Sequence, residues 1–205
     1  TTGTCCMPYF FDACQHRSNE VSEFIALDKD VLNNSYINFL RQGMRGWFEA
    51  MTDKPIVFSK SRQWSEWLPH TMAMDPNSKY LVILRDLRDI ICSFESLAWK
   101  YPHVHYGLRE DTPFHQESFE TRIESYCTDG ASNLGRPLQV LPHLVEVAQK
   151  NPNSFFILRH EDFNEKPREA FQILYHWLGE PNFEHDFDNI PKPDYYEHDT
   201  CYRSL

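Results

Sequence analysis

The 205-residue chain is long enough to bury one large core, and its composition, 41% hydrophobic and 24% charged, is that of a globular rather than a disordered protein. A formal net charge of −10 disfavours extended contact with nucleic acid or anionic lipid, so an anionic ligand has to be small and locally held. No apolar run reaches the roughly eighteen residues of a membrane-spanning helix, and the opening TTGTCCMPYFF lacks the basic and apolar regions of a secretory signal, which implies a soluble, cytoplasmic chain.

Position 1 is not Met, from which a processed or cut N-terminus is expected. The six cysteines, Cys5, Cys6, Cys14, Cys92, Cys127 and Cys201, show neither a CxxC pair nor a regular spacing and read as free thiols of a reducing compartment. Cys5, Cys6 and Cys14 with His16, and His103 with His105 and His115, lack the paired ligand spacing of a structural zinc site, so no metal is expected.

In chain order, Asp28 to Met51 reads as one long helix or two shorter ones. Pro55 to Ser59 (PIVFS) is a short apolar run with the character of a buried strand, followed by a helical pattern from Trp64 to Met74 that places Trp64, Trp67, Leu68 and Thr71 at helical spacing. Tyr80 to Leu84 (YLVIL) is the second such run; the helix after it, Leu87 to Trp99, carries Ile90, Ile91, Phe94, Leu97 and Ala98 as an apolar stripe. Residues from Tyr101 to Pro113 are loop-like, rich in Tyr, His and Pro. The stretch from Gly130 to Pro137 imitates the glycine spacing of a triphosphate loop, but Arg136 and Pro137 stand where Lys and Ser or Thr would meet phosphate and metal, and no strand precedes it. It reads as a turn before a helix from Leu138 to Lys150. A third apolar run, Ser154 to Leu158 (SFFIL), leads to a helix from Glu165 to Leu178, with Ala170, Ile173, Leu174 and Trp177 on one face and Gly179 placed to stop it. Beyond Pro181 no clear period is visible. Strands alternating with helices predict an α/β fold: a mostly parallel sheet covered by helices on both sides, in three α/β/α layers.

Ligands of open parallel sheets bind where strands end and loops enter helices. The three predicted strands end in Ser59-Lys60-Ser61-Arg62, Arg85-Asp86-Leu87-Arg88-Asp89 and Arg159-His160-Glu161-Asp162. An acidic chain thus places a basic residue at the same end of each, which points to a small polyanion near helix N-termini. Charged strand ends also arise simply because they reach water, and by default Asp86 and Asp89 read as caps of the helix that follows them and Glu161 or Asp162 as a cap of the last helix.

The segment KYLVILRDLRDIICSF resembles the 3′-phosphate motif of sulfotransferases that use 3′-phosphoadenosine 5′-phosphosulfate, in which a strand runs into an Arg and a helix supplies a Ser eight residues later; Arg85 and Ser93 fit. A guanidinium at a strand end can grip phosphate oxygens with two hydrogen bonds, and a hydroxyl can add a third. FFILRHEDFNEKPREAFQILYHWLGEP is similar to the family's later strand and turn, with His160 where the family usually has an adenine-contacting Tyr. KPIVFSKSRQW resembles the strand whose following Lys contacts the donor and nominates Lys60.

The resemblance implies a P-loop nucleotide-hydrolase-like sulfotransferase fold forming a single domain over residues 1–205, truncated at its N-terminus, with truncation at the C-terminus left open. The family's 5′-phosphosulfate loop is expected upstream of Thr1; the other reading makes Thr1-Thr2-Gly3-Thr4 its remnant. In either case the resemblance implies sulfuryl transfer to a hydroxyl or amine, with the nucleotide as co-substrate and no metal. Lys60 would stabilise the leaving phosphate. Cytosolic members of the family carry a catalytic His two residues after this Lys, a position held here by Arg62, which cannot serve as a base at neutral pH and is assigned to donor binding. Glu66 and His70, one and two helical turns further on and roughly on Arg62's helix face, are the candidate bases. Trp64 is read as packing. Tyr101, His103, His105, Tyr106 and Phe114 are candidates for lining a small-molecule or glycan acceptor site. Oligomeric state and acceptor identity are not readable. The rival functions are a nucleotide or small-molecule kinase of related fold and a non-catalytic nucleotide-binding module.

Overall fold

A computed structural model of the chain describes residues 28–100, 118–130, 132 and 134–189. The chain is divided into two compact units, Thr1–Ser78 and Lys79–Leu205.

In the first unit a single helix, α1 (Lys29–Met51), begins where the Asp28 carboxylate accepts hydrogen bonds from the backbone N–H groups of Asp30 and Val31 at 2.9 and 3.2 Å. Tyr36, Ile37, Leu40 and Met44 recur at helical spacing, and the last three carry no polar group. Leu40 is buried with Trp67 and Met74, and Tyr36, Ile37, Met44 and Trp64 pack around them. Trp64 therefore packs, as its sequence context suggests.

Arg41 on α1 donates from Nε to the carbonyl of Met74 at 2.6 Å and from Nη2 to that of Ala73 at 3.2 Å. These carbonyls end a short helix, α2 (Leu68–Met74), so the cation sits where the helix dipole is negative and carbonyls lack partners.

Two expectations need correction here. Pro55–Ser59 forms no strand, and Ile56 and Phe58 are exposed. An apolar run favours a strand only if a neighbour offers a ladder of N–H and C=O groups, and its leading Pro cannot donate to one. The predicted helix from Trp64 to Met74 is also divided: a 3-10 turn spans Arg62–Ser65 and the α-helix starts at Leu68. Pro69 explains the break, because a residue without an N–H is accommodated in a helix's first turn and not in its interior.

In the second unit β1 (Tyr80–Leu84) and β2 (Phe155–Arg159) pair in parallel, with Tyr80 opposite Phe155 and Leu84 opposite Arg159. The rings of Tyr80 and Phe155 stack at 4.9 Å. Helix α3 (Leu87–Lys100) follows β1, α4 (Phe119–Thr128) and α5 (Gly135–Lys150) come next, and α6 (His160–Glu165) and α7 (Pro167–Leu178) follow β2. Gly179 ends α7 at φ 80°, the left-handed conformation that spares a glycine the Cβ clash; its N–H bonds the carbonyl of His176 and that of Glu180 bonds Tyr175. Lys79, just before β1, donates to the carbonyl of Trp177 and lies 4.9 Å from the centre of its ring, which anchors the amino end of the strand to the end of α7. The architecture is α/β, helices with a small parallel sheet.

In the glycine-rich stretch, Gly130 comes after α4, and Gly135, Arg136 and Pro137 already form the first turn of α5, which starts ahead of the expected Leu138. Buried Ser132 donates from Oγ to the carbonyl of Tyr126 at 2.7 Å and accepts from the N–H of Gly135 at 2.7 Å. A Cβ at Gly135 would lie 2.3 Å from the carbonyl oxygen of Asp129, so this turn needs glycine for close approach.

Helix α4 has no counterpart among the sequence-based expectations. Its buried face is made of Arg122 and Tyr126, which supply no apolar period. Both meet Glu95 of α3: Arg122 donates from Nη2 at 2.6 Å and from Nε at 3.0 Å, and the Tyr126 hydroxyl donates at 2.9 Å. Burial, with the Glu95 carboxylate beside it, raises the Tyr126 hydroxyl well above the usual phenol range. Since Arg122 and Glu95 side chains are only 7% and 11% exposed, removal of one charge strands the other. Arg122→Ala is expected to cost about 3 to 5 kcal/mol in urea unfolding. Arg122→Met combined with Glu95→Leu, which removes both charges, should cost less than the single substitution; a larger loss in the double variant would contradict this account.

Candidate functional site

The parallel register delivers the residues after β1 and β2 to the same edge of the sheet. Arg85 follows Leu84, His160 follows Arg159, and Leu84 and Arg159 are the last paired positions. The backbone N–H of Asp86 then donates to Oε1 of Glu161 at 2.8 Å, joining the two turns directly. This bond contributes most to holding the Glu161 carboxyl below its usual range, followed by Glu161's own backbone N–H, with the Arg159 guanidinium 3.9 Å away adding less.

Asp86 caps α3, as expected: Oδ1 accepts from the N–H of Arg88 at 2.8 Å, while the Arg88 guanidinium closes on Oδ1 and Oδ2 at 3.1 and 2.6 Å. Its carboxyl is lowered to about 2, chiefly by the Arg88 side chain and then by the backbone N–H. A consequence for ligand binding follows: a carboxylate already occupies the positive end of α3, so an anion here must be held by side chains rather than by that helix's first amides. Glu161 and Asp162, in contrast, do not cap the last helix: α7 starts after Lys166, which makes no side-chain cap hydrogen bond, and the Glu161 carboxylate accepts chiefly from the N–H of Asp86 and then from its own.

Three arginines lie at this edge, and they differ in their partners. Arg88 is closed on Asp86, and Arg159 lies 3.9 Å from Glu161 and 3.8 Å from Asp162. Arg85 is exposed and makes no ion pair among the described residues. Ser93 is half-buried on the second turn of α3. The side-chain amide nitrogen of Asn164 lies 3.2 Å from Nδ1 and 3.4 Å from Nε2 of the His160 ring.

Lys60, Arg62, Glu66 and His70 belong to the first unit. Lys60 is exposed in a loop that the Trp64 indole draws together by donating from Nε1 to Ser59 Oγ at 2.8 Å. Glu66 lies in the turn between the 3-10 segment and α2, and His70 lies within α2. The expected single helix face carrying Arg62, Glu66 and His70 is therefore not formed, for the reason given by Pro69. The His70 ring contacts Trp67 at 5.0 Å and Tyr36 at 6.2 Å, its Nδ1 is buried without a hydrogen-bond partner among the described residues, and burial lowers its pKa. The candidate acceptor loop residues Tyr101, His103, His105, Tyr106 and Phe114, and Thr1-Thr2-Gly3-Thr4, lie outside the described residues.

A family model described as the sulfotransferase domain matches residues 2–198. The chain belongs to the sulfotransferase family. No curated protein and no solved structure matches it. A sulfotransferase domain carries out sulfuryl transfer, which makes the chain a transferase by family. Among the described residues no helix is long and apolar enough to cross a membrane, and no group of His, Cys, Asp and Glu is arranged to hold a metal ion.

The residue that sequence reasoning missed in this sulfotransferase is Glu161. Its sequence position, one residue into a helix after a strand, signals an ordinary cap. Only the pairing of β2 with β1 brings it to an amide 75 residues earlier.

Proposed function

We propose that this sulfotransferase takes its sulfuryl group from 3′-phosphoadenosine 5′-phosphosulfate and passes it to a hydroxyl or amine of a small-molecule or glycan acceptor. In this reading Arg85 and Ser93 hold the 3′-phosphate and His160 lies against the adenine. The supporting observation is the contrast at the sheet edge: Arg85 is exposed and without an ion pair among the described residues, whereas Arg88 and Arg159 beside it are matched with carboxylates. A guanidinium left unmatched in a chain of net charge −10 is suited to an anionic ligand.

Lys60 is assigned to the cationic end of the reaction, where negative charge develops on the leaving phosphate as the sulfur–oxygen bond breaks, and Arg62 to donor binding. The acceptor's proton goes to a base as its oxygen or nitrogen bonds to sulfur. Glu66 suits this role better than His70. A protonated His70 would hold a charged ring with Nδ1 buried and unpartnered among the described residues, and burial weakens it as a base.

Calorimetry with adenosine 3′,5′-bisphosphate tests the donor. Arg85→Ala should weaken binding by about 1.5 to 3 kcal/mol, the scale of a charge-assisted hydrogen bond, and Ser93→Ala by less. An equal loss for adenosine 5′-monophosphate would show that Arg85 does not read the 3′-phosphate. Labelled-sulfate transfer tests the base: Glu66→Gln should lower kcat by a factor on the order of 10², with donor affinity nearly unchanged. Unaltered turnover in that variant removes Glu66 from the mechanism, and nucleotide binding without any transfer by the wild-type protein would favour a non-catalytic module.

A further inference from the structure

A helix that starts with an Asp cap leaves the cap residue's own N–H to be satisfied. In the common capping box a Glu or Gln three residues into the helix turns back to accept it. In α3 that position is Asp89, one methylene shorter, and the N–H of the cap residue Asp86 goes instead to Glu161 at 2.8 Å. What is usually a local device has become a tertiary one, connecting chain positions 75 residues apart. The connection runs between the residue after Arg85 and the residue after His160. The second oxygen of Glu161 faces Arg159 at 3.9 Å, and Asp162 lies 3.8 Å from the same guanidinium, which draws Arg159 to its own turn.

We propose that Glu161 is the positioning residue of the nucleotide site: by accepting the Asp86 N–H it sets the spacing of the turns carrying Arg85 and His160, and so gives the site its preference for a 3′-phosphorylated nucleotide. The inference rests on the assignment of Arg85 to the 3′-phosphate and His160 to the adenine. Glu161 itself touches no ligand; a carboxylate is an unsuitable contact for phosphate and acts through the backbone. Because a positioned guanidinium loses its value when displaced by about an ångström, loss of the link affects recognition of the 3′-phosphate more than overall binding.

The test measures binding of adenosine 3′,5′-bisphosphate and adenosine 5′-monophosphate to the full chain by calorimetry, with thermal unfolding alongside. Glu161→Gln keeps a side-chain oxygen at the same reach and is expected to behave as wild type toward both ligands. Glu161→Ala and Glu161→Asp, the latter keeping the charge but losing the reach, should each weaken the bisphosphate about tenfold while changing the monophosphate less than about twofold. Retained preference in both, or equal weakening of both ligands in both, would overturn the proposal; the second pattern is what a merely structural role gives. Should Glu161→Ala prove unstable, Glu161→Asp decides. A wild-type protein that binds the two nucleotides equally would refute the donor assignment itself, an outcome distinct from loss of the Glu161 effect in a protein that does discriminate.

Discussion

The parallel pairing of β1 with β2 is the constraint on which the second unit depends. Parallel strands cannot be joined by a hairpin, so the chain between them has to leave the sheet and return, and α3, α4 and α5 lie on that path. The same geometry sends both strands in one direction and releases both at one edge. Arg85 and His160 become neighbours there through register, with no need for proximity in sequence. An antiparallel pair would have placed them at opposite ends.

The helices satisfy polar demands that an apolar core would leave open. Glu95, deep in α3, would be a costly isolated charge, and Arg122 and Tyr126 of α4 surround it with three hydrogen bonds. Helix α3 is thus held by a buried ion pair on one side and capped by Asp86 at its start, which limits the freedom of Ser93 between them. At the exposed edge the logic is different: carboxylates are placed so that two arginines are matched and a third remains available to solvent, a pattern of selective neutralisation in an acidic protein.

Much of this was legible in the residue order. YLVIL and SFFIL read as strands because both are flat apolar runs that end in charge, and Gly179 read as a stop because only glycine reaches its conformation without strain. PIVFS has the same character and forms no strand, because pairing is a property of two segments and its own sequence reports on one. Helix α4 was hidden because its buried face carries Arg122 and Tyr126 in place of aliphatic residues. Within the site, spacing singled out Arg85 and Ser93. It could not show which arginine in Arg85-Asp86-Leu87-Arg88-Asp89 has no ion pair among the described residues, where each acid has several partners within reach, nor that Glu161 reaches from its own helix to the start of another. Glu66 and His70 were placed on one helix face by period alone, and Pro69 set the boundary that separates them.

The central claim is that the common edge of β1 and β2 receives the 3′-phosphate of the sulfuryl donor. A crystal structure of the protein with adenosine 3′,5′-bisphosphate tests it most directly. The account predicts 3′-phosphate oxygens within hydrogen-bonding distance of the Arg85 guanidinium and the Ser93 hydroxyl, with the adenine against His160. A nucleotide bound with its 3′-phosphate away from Arg85, or with Arg85 still turned to solvent beside an occupied site, would contradict it.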